Sequence, residues 1–205
     1  MNIGKAGRIM KTDLSKAALI VIDMENGFVD GRSPFCIKGA AETVPAISKI
    51  AGTFREKGLP VFMVRRVYRD DGSDVEKTRL DSWLASGRPC SVSAEEYMSP
   101  DFVKGLEPEN GDYVINKPRW SAFFGTELDV MLRRLGVDTV VIAGTTTPNC
   151  VRTTCYDANA LEYSVVIVSD GTSSNSPEIQ KVNLGDMERI GAEISDSAAI
   201  MKALN

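Results

Sequence analysis

Three stretches of this chain are apolar without interruption: AALIVI at Ala17–Ile22, VVIA at 140–143 and the VVIV inside SVVIVS at 164–169. A strand with one wet face alternates polar and apolar residues; a strand buried on both faces does not. Strands of the second kind belong to parallel sheets, whose neighbours are joined by crossovers of a dozen residues or more. The sequence between the runs has that length and the right periodicity. Residues 42–57 place Val44, Ile47, Ala51 and Phe54 at helical spacing, with Gly58 as the stop. PVFMVR at 60–65 is a second strand and DYVIN at 112–116 a third. Residues 126–135 are amphipathic through Leu128, Met131, Leu132 and Leu135, with Gly136 as C-cap. A fourth strand at 137–143, a helix at 150–161, the fifth strand at 164–169, a helix at 177–190 opening on Pro177 and a weak strand at 192–195 complete the series.

Alternation of this kind predicts an α/β fold: a three-layer, doubly wound and mostly parallel sheet of about six strands, with helices on both faces. No repeat or linker interrupts it, so one domain is expected over residues 1–205. Residues 1–16 are basic and lack the apolar core of a signal peptide; they read as an N-terminal arm. Residues 66–109 lose the pattern, as a functional loop or an ordinary surface insertion does.

Histidine is absent from all 205 residues. Ser-His-Asp and Cys-His catalysis are excluded, as is a histidine-ligated metal, so any base is a carboxylate or a lysine. The 24 basic and 28 acidic residues give a net charge of −4 with no block of one sign, which offers nothing to nucleic acid or to a membrane surface. No apolar run approaches the ~20 residues that span a bilayer. Four widely spaced cysteines in a chain without an export signal are expected reduced, in the cytoplasm.

Three reactive residues stand just past strand ends: Asp23 after the first, Lys117 after the third and Cys150 after the fourth. In a parallel sheet those ends share one edge, and in the order 3-2-1-4-5 strands 1 and 4 flank the switch point where ligands bind. Each residue has a plainer role available, as turn former, solvated lysine or small buried hydrophobe. Together they make a histidine-free nucleophile. A helix N-terminus and a lysine cation lower the thiol pKa, the carboxylate moves the proton, and backbone N–H groups of the turn hold an oxyanion.

ALIVIDMENGFVD, the long stretch from INKPRWSAFFGTELDV through VVIAGTTTPNCVRTTCYDANALEY, and VVIVSDGTSS resemble the isochorismatase-like cysteine hydrolase superfamily along nearly the whole chain. The resemblance implies a catalytic triad of Asp23, Lys117 and Cys150, and a cis peptide bond at Thr145–Thr146 that turns the Thr146 N–H toward the oxyanion beside that of Cys150. It implies hydrolysis of a C–N bond in a small amide or ureide through a thioester, with no metal and no cofactor, and a homo-oligomer, dimer or tetramer. Nicotinamidase-type members hold a metal after strand 2, where this chain has RRVYRDDG and no histidine. Vinyl-ether hydrolysis by the aspartate, or a non-catalytic binding or assembly role on the same fold, are the alternatives. Phe28, Trp120, Phe123 and Thr145 are expected at the substrate, and Arg65, Arg66 or Arg119 at a substrate anion. Glu25 stands where the family has Gln, and Thr-Pro-Asn-Cys replaces the usual Thr-[Asp/Asn]-x-Cys.

Overall fold

A computed structural model describes residues 10–205. The first nine residues of the expected arm lie outside it. The next ones are tied down, since the Lys11 and Thr12 backbone N–H groups and the Thr12 hydroxyl donate to the Glu193 carboxylate. The elements run β1 (Ala17–Ile22), α1 (Asn26–Val29), α2 (Ala40–Glu56), β2 (Val61–Arg66), α3 (Leu80–Ala85), β3 (Tyr113–Lys117), α4 (Leu128–Arg134), β4 (Thr139–Thr145), α5 (Arg152–Ala160), β5 (Ser164–Ser173), α6 (Pro177–Arg189), β6 (Glu193–Ser195) and α7 (Ser197–Leu204). The six strands pair in the order β3-β2-β1-β4-β5-β6, and every pairing is parallel. Order reverses between β1 and β4, as expected. Among the described residues no helix is long and apolar enough to cross a membrane.

The continuous apolar runs follow from two cores on one sheet. Ala18, Ile20 and Ile22 of β1 face a layer with Leu128 and Leu132 of α4, Cys155 of α5 and Met187 of α6. Ala17, Leu19 and Val21 face the other way, onto Ile47, Ile50 and Phe54 of α2 and Ile200 of α7. Both sets are fully buried, so no position of β1 is left for a polar residue.

Three boundaries differ from expectation. The eight-residue α7 was not read from the sequence. α5 begins at Arg152 rather than residue 150, because residues Thr147–Val151 form a π-helical turn that delays the α pattern. The patternless 66–109 stretch is mostly turns around the short α3, yet it is packed: Tyr68, Val75, Trp83 and Cys90 build a small third core with Phe28, Ile37 and Ala40. Trp83 is fully buried there and donates its indole N–H to the Pro89 carbonyl at 2.9 Å.

At the switch point β1 and β4 come very close. Gly144 pairs with Ile22 at a φ of 109°, and a Cβ added to it would lie 2.0 Å from the Ile22 carbonyl oxygen. Neither the dihedral nor the space admits a side chain. Gly144→Ala should therefore lower stability by roughly 3 kcal/mol or more, read from urea unfolding, whereas Gly52→Ala in α2, where a Cβ meets nothing, should raise it by up to about 1 kcal/mol.

Candidate active site

β1 ends at Ile22, and the chain turns sharply at Asp23, whose φ is 51°. Aspartate tolerates this left-handed region better than most residues. The Asp23 N–H donates to the Val64 carbonyl of β2 at 2.8 Å, which fixes where its carboxylate stands. Lys117 closes β3, two strands away. Neighbouring strands lie about 4.8 Å apart, so an arm as long as lysine's is needed to cross the end of β2. Lys117 Nζ reaches Asp23 Oδ2 at 2.8 Å and the Arg119 carbonyl at 3.1 Å, and both charged side chains are fully buried. Asp23 Oδ1 is also buried and has no hydrogen-bond partner among the described residues.

β4 delivers the sulfur. The peptide bond between Thr145 and Thr146 is cis. The π-helical turn that follows carries the Val151 N–H back to the Thr146 carbonyl. The threonine hydroxyls are committed: Thr146 and Thr147 donate to the Ser173 carbonyl of β5, and Thr145 accepts from the Ser173 hydroxyl. Cys150 is the fourth residue of the turn and is only 1% exposed. Its thiol pKa is pushed up from the ordinary value, first by burial and then by the Asp23 charge, with Lys117 and Arg66 opposing. The depressed thiol expected from the sequence is therefore corrected. Cys150 does not open an α-helix, and two nearby cations do not outweigh burial beside a carboxylate.

Sequence reasoning treated Arg66 as one of three interchangeable arginines. Strand alternation separates them. Arg66 is in phase with Phe62 and Val64, which face the α4–α5 layer, and pairs in register with Lys117. It is fully buried, with Nη2 3.5 Å from Cys150 Sγ and Nη1 3.0 Å from Glu76 Oε1. Tyr68 accepts from the same Nη1 and donates to Glu76 Oε2 at 2.9 Å. Arg65 is in phase with Val61 and Met63 and points to the opposite face, against Asn116, Asp101 and the Phe102 ring. Two further groups complete the surroundings: Glu25, marked in the sequence only as a replacement for Gln, and Cys90, which was not read as a site residue. Glu25 is fully buried, and both its oxygens accept from the Arg66 N–H; burial and the Asp23 charge push its pKa well above the ordinary carboxylate range. Buried Cys90 lies against it, its thiol pushed up by burial and by the Glu25 charge.

The remaining expected pocket residues scatter. Trp120 stays at the site, its ring 4.9 Å from the Arg66 guanidinium and 4.8 Å from that of Arg79. Arg119 turns its guanidinium onto the carbonyls of Asp74 and Pro118. Phe28 stacks on Phe35 in the third core, and Phe123 stacks on Tyr163. The Thr145 hydroxyl belongs to the β4–β5 seam. After β2, where some relatives of the resemblance hold a metal, this chain offers a guanidinium and two aspartates already engaged: Asp70 accepts from Ser93, and Asp71 from the Ser73 N–H. Among the described residues no cluster of three or more Cys, Asp or Glu fits a metal ion.

The isochorismatase domain family model matches residues 17–199. A protein of Arabidopsis thaliana named a probable inactive nicotinamidase is 38% identical over 178 residues, covering 86% of this chain and 90% of its own. The ureidoacrylate amidohydrolase of Methylobacterium radiotolerans is 30% identical over 212 aligned residues, 94% of this chain and 81% of its own. Among solved structures, an isochorismatase family protein from Desulfovibrio vulgaris superposes with a TM-score of 0.86 at 42% identity, covering 92% of this chain and 98% of that one.

Two measurements test the electrostatics. Because the Asp23 charge helps to raise the Cys150 thiol, Asp23→Asn should speed alkylation of Cys150 by iodoacetamide at pH 7 by about tenfold or more, followed at the Cys150 peptide by mass spectrometry. An unchanged rate would show that the carboxylate does not act on the thiol. Glu25 holds its proton to higher pH folded than unfolded, so its contribution to stability is full below its ordinary pKa of 4.5 and fades as pH rises through the raised value. Glu25→Gln cannot titrate, and its Tm relative to the native protein should climb between pH 4.5 and pH 8.

Proposed function

The chain belongs to the isochorismatase family of hydrolases, whose members include amidohydrolases, and from that premise we propose that it cleaves a C–N bond of a small amide or ureide through a thioester on Cys150. The observation that carries this reading is the buried Asp23 carboxylate: one oxygen held by Lys117, the other unpartnered, with the Cys150 thiol close enough to feel its charge.

A thiol with a raised pKa does not wait as a thiolate, so its proton has to leave as the sulfur attacks. Asp23 Oδ1 accepts that proton, and Sγ bonds to the substrate carbonyl carbon. The oxyanion is held by the Thr146 and Cys150 N–H groups. As the tetrahedral intermediate collapses, the C–N bond breaks and Asp23 returns the proton to the departing nitrogen. Water then attacks the thioester, gives its proton to Asp23, and the carboxylic acid leaves as Sγ recovers a hydrogen. Lys117 keeps the carboxylate aimed and offsets negative charge on sulfur.

An ammonia-release screen over small amides and ureides tests the reading. Cys150→Ser should lower turnover by roughly 10³-fold or more, and Asp23→Asn by roughly 10²-fold or more, even though it makes the sulfur easier to alkylate. Hydrolysis of a vinyl ether that survives Cys150→Ser would instead assign the chemistry to Asp23 alone. The similarity to a protein named as inactive favours a non-catalytic binding role as the second reading. That role predicts ligand binding with no turnover on any member of the panel.

A further inference from the structure

The role of Arg66 is not exhausted by the salt bridge that holds it. Glu76 engages Nη1 only, leaving Nη2 beside the sulfur and Nε buried with no partner among the described residues. Orphaned buried donors are rare, and this one lies on the edge of the guanidinium that bears two parallel N–H groups, the edge that receives carboxylates bidentately. The guanidinium carbon lies 4.9 Å from the Trp120 ring centroid and 5.5 Å from that of Tyr68, so two aromatic rings hem it in. The charges around it do not cancel. Asp23 and Lys117 neutralise each other, while Arg66 and Arg79 share the single Glu76 carboxylate. Glu25, with its raised pKa, adds no full negative charge.

We propose that Arg66 anchors an anion of the substrate, and that the amide cleaved at Cys150 carries a carboxylate within about 10 Å of its scissile carbonyl. The spacing comes from three lengths. Nη2 stands 3.5 Å from Sγ. An attacked carbonyl carbon sits roughly 3–3.5 Å from the sulfur, and a carboxylate oxygen about 2.8 Å from a guanidinium nitrogen. Laid end to end, these lengths set the farthest reach at about 10 Å. This narrows the amidohydrolase reading and rests on it for the cleavage step, while the binding step stands on Arg66 itself.

The probes are three pairs that differ only in charge: oxamate with oxamide, malonamate with malonamide, and succinamate with succinamide. In the native protein, kcat/KM for at least one carboxylate should exceed that of its neutral partner by about 100-fold, and Arg66→Gln should shrink that ratio below about 5-fold. A ratio within one variant cancels any effect on the thiol, so equal loss for both members would show that Arg66 serves the sulfur alone and would overturn the proposal. Arg66→Lys, which keeps the charge opposite Glu76, should give an intermediate ratio and serves where Gln does not fold. Equilibrium binding to Cys150→Ser, with and without Arg66→Gln, removes turnover from the test. Selective, Arg66-dependent binding without ammonia release from the native protein upholds the anion site and rejects the hydrolase reading. Ammonia release from the neutral members with no carboxylate preference does the reverse. Equal or absent binding of every pair overturns the anion site.

Discussion

A lysine ammonium and an aspartate carboxylate meet at 2.8 Å with no exposure to water, across the end of an intervening strand. Taking two such charges out of water costs several kcal/mol each, and their attraction seldom does more than offset it. An apolar pair of similar volume would hold the strand ends at least as well, so the pair is poorly explained as a stabilising device. What it achieves is placement. The Asp23 backbone is bent into the left-handed region and tied to β2, Lys117 is steadied by the Arg119 carbonyl, and Gly144 lets β4 approach β1 closely enough to deliver the cysteine turn. Every other feature of the site is arranged around that fixed carboxylate.

The electrostatics divide the work between groups in a way that residue types alone do not show. Burial pushes Cys150, Cys90 and Glu25 toward their neutral forms. Burial also opposes the Arg66 charge, yet the Asp23 and Glu76 carboxylates near it prevail and hold the guanidinium charged. The resting site is thus a set of neutral acids beside the Lys117–Asp23 pair and two guanidiniums, Arg66 and Arg79, that share the Glu76 carboxylate. Negative charge arriving with a substrate, or forming during attack, meets groups already oriented to receive it, with no solvent to reorganise.

The sheet was legible because burial on both faces leaves a mark at every residue of β1 and β4 and along residues 165–168 of β5. Asp23, Lys117 and Cys150 were legible because parallel strands end at one edge, so position in the chain translates directly into position in space. Side-chain direction past those ends did not translate. Phe28 and Phe123 have the composition of a pocket wall, yet Phe28 stacks on Phe35 of the turn that follows α1 and Phe123 on Tyr163, forty residues on. Arg66 is a different case: counting two residues on from Val64 assigns it to the buried face and separates it from Arg65. That signal was present and went unused, because a charged residue at a strand end reads as surface. Nothing local marks 66–109 as packed, since its core residues are few, irregularly spaced and completed by α1 and α2. α7 is too short for its periodicity to stand apart from a chain terminus.

The covering of Cys150 has a consequence for the lifetime of the protein rather than for its turnover. Peroxide attacks thiolates far faster than thiols, and the first product, a sulfenic acid, leads on to forms that no longer act as nucleophiles. A sulfur that is 1% exposed and held as the neutral thiol presents neither the charge nor the surface for that first step. The same desolvation that makes Cys150 depend on a base to react therefore preserves it between encounters. An idle copy of this chain ages slowly at the one atom it can least spare.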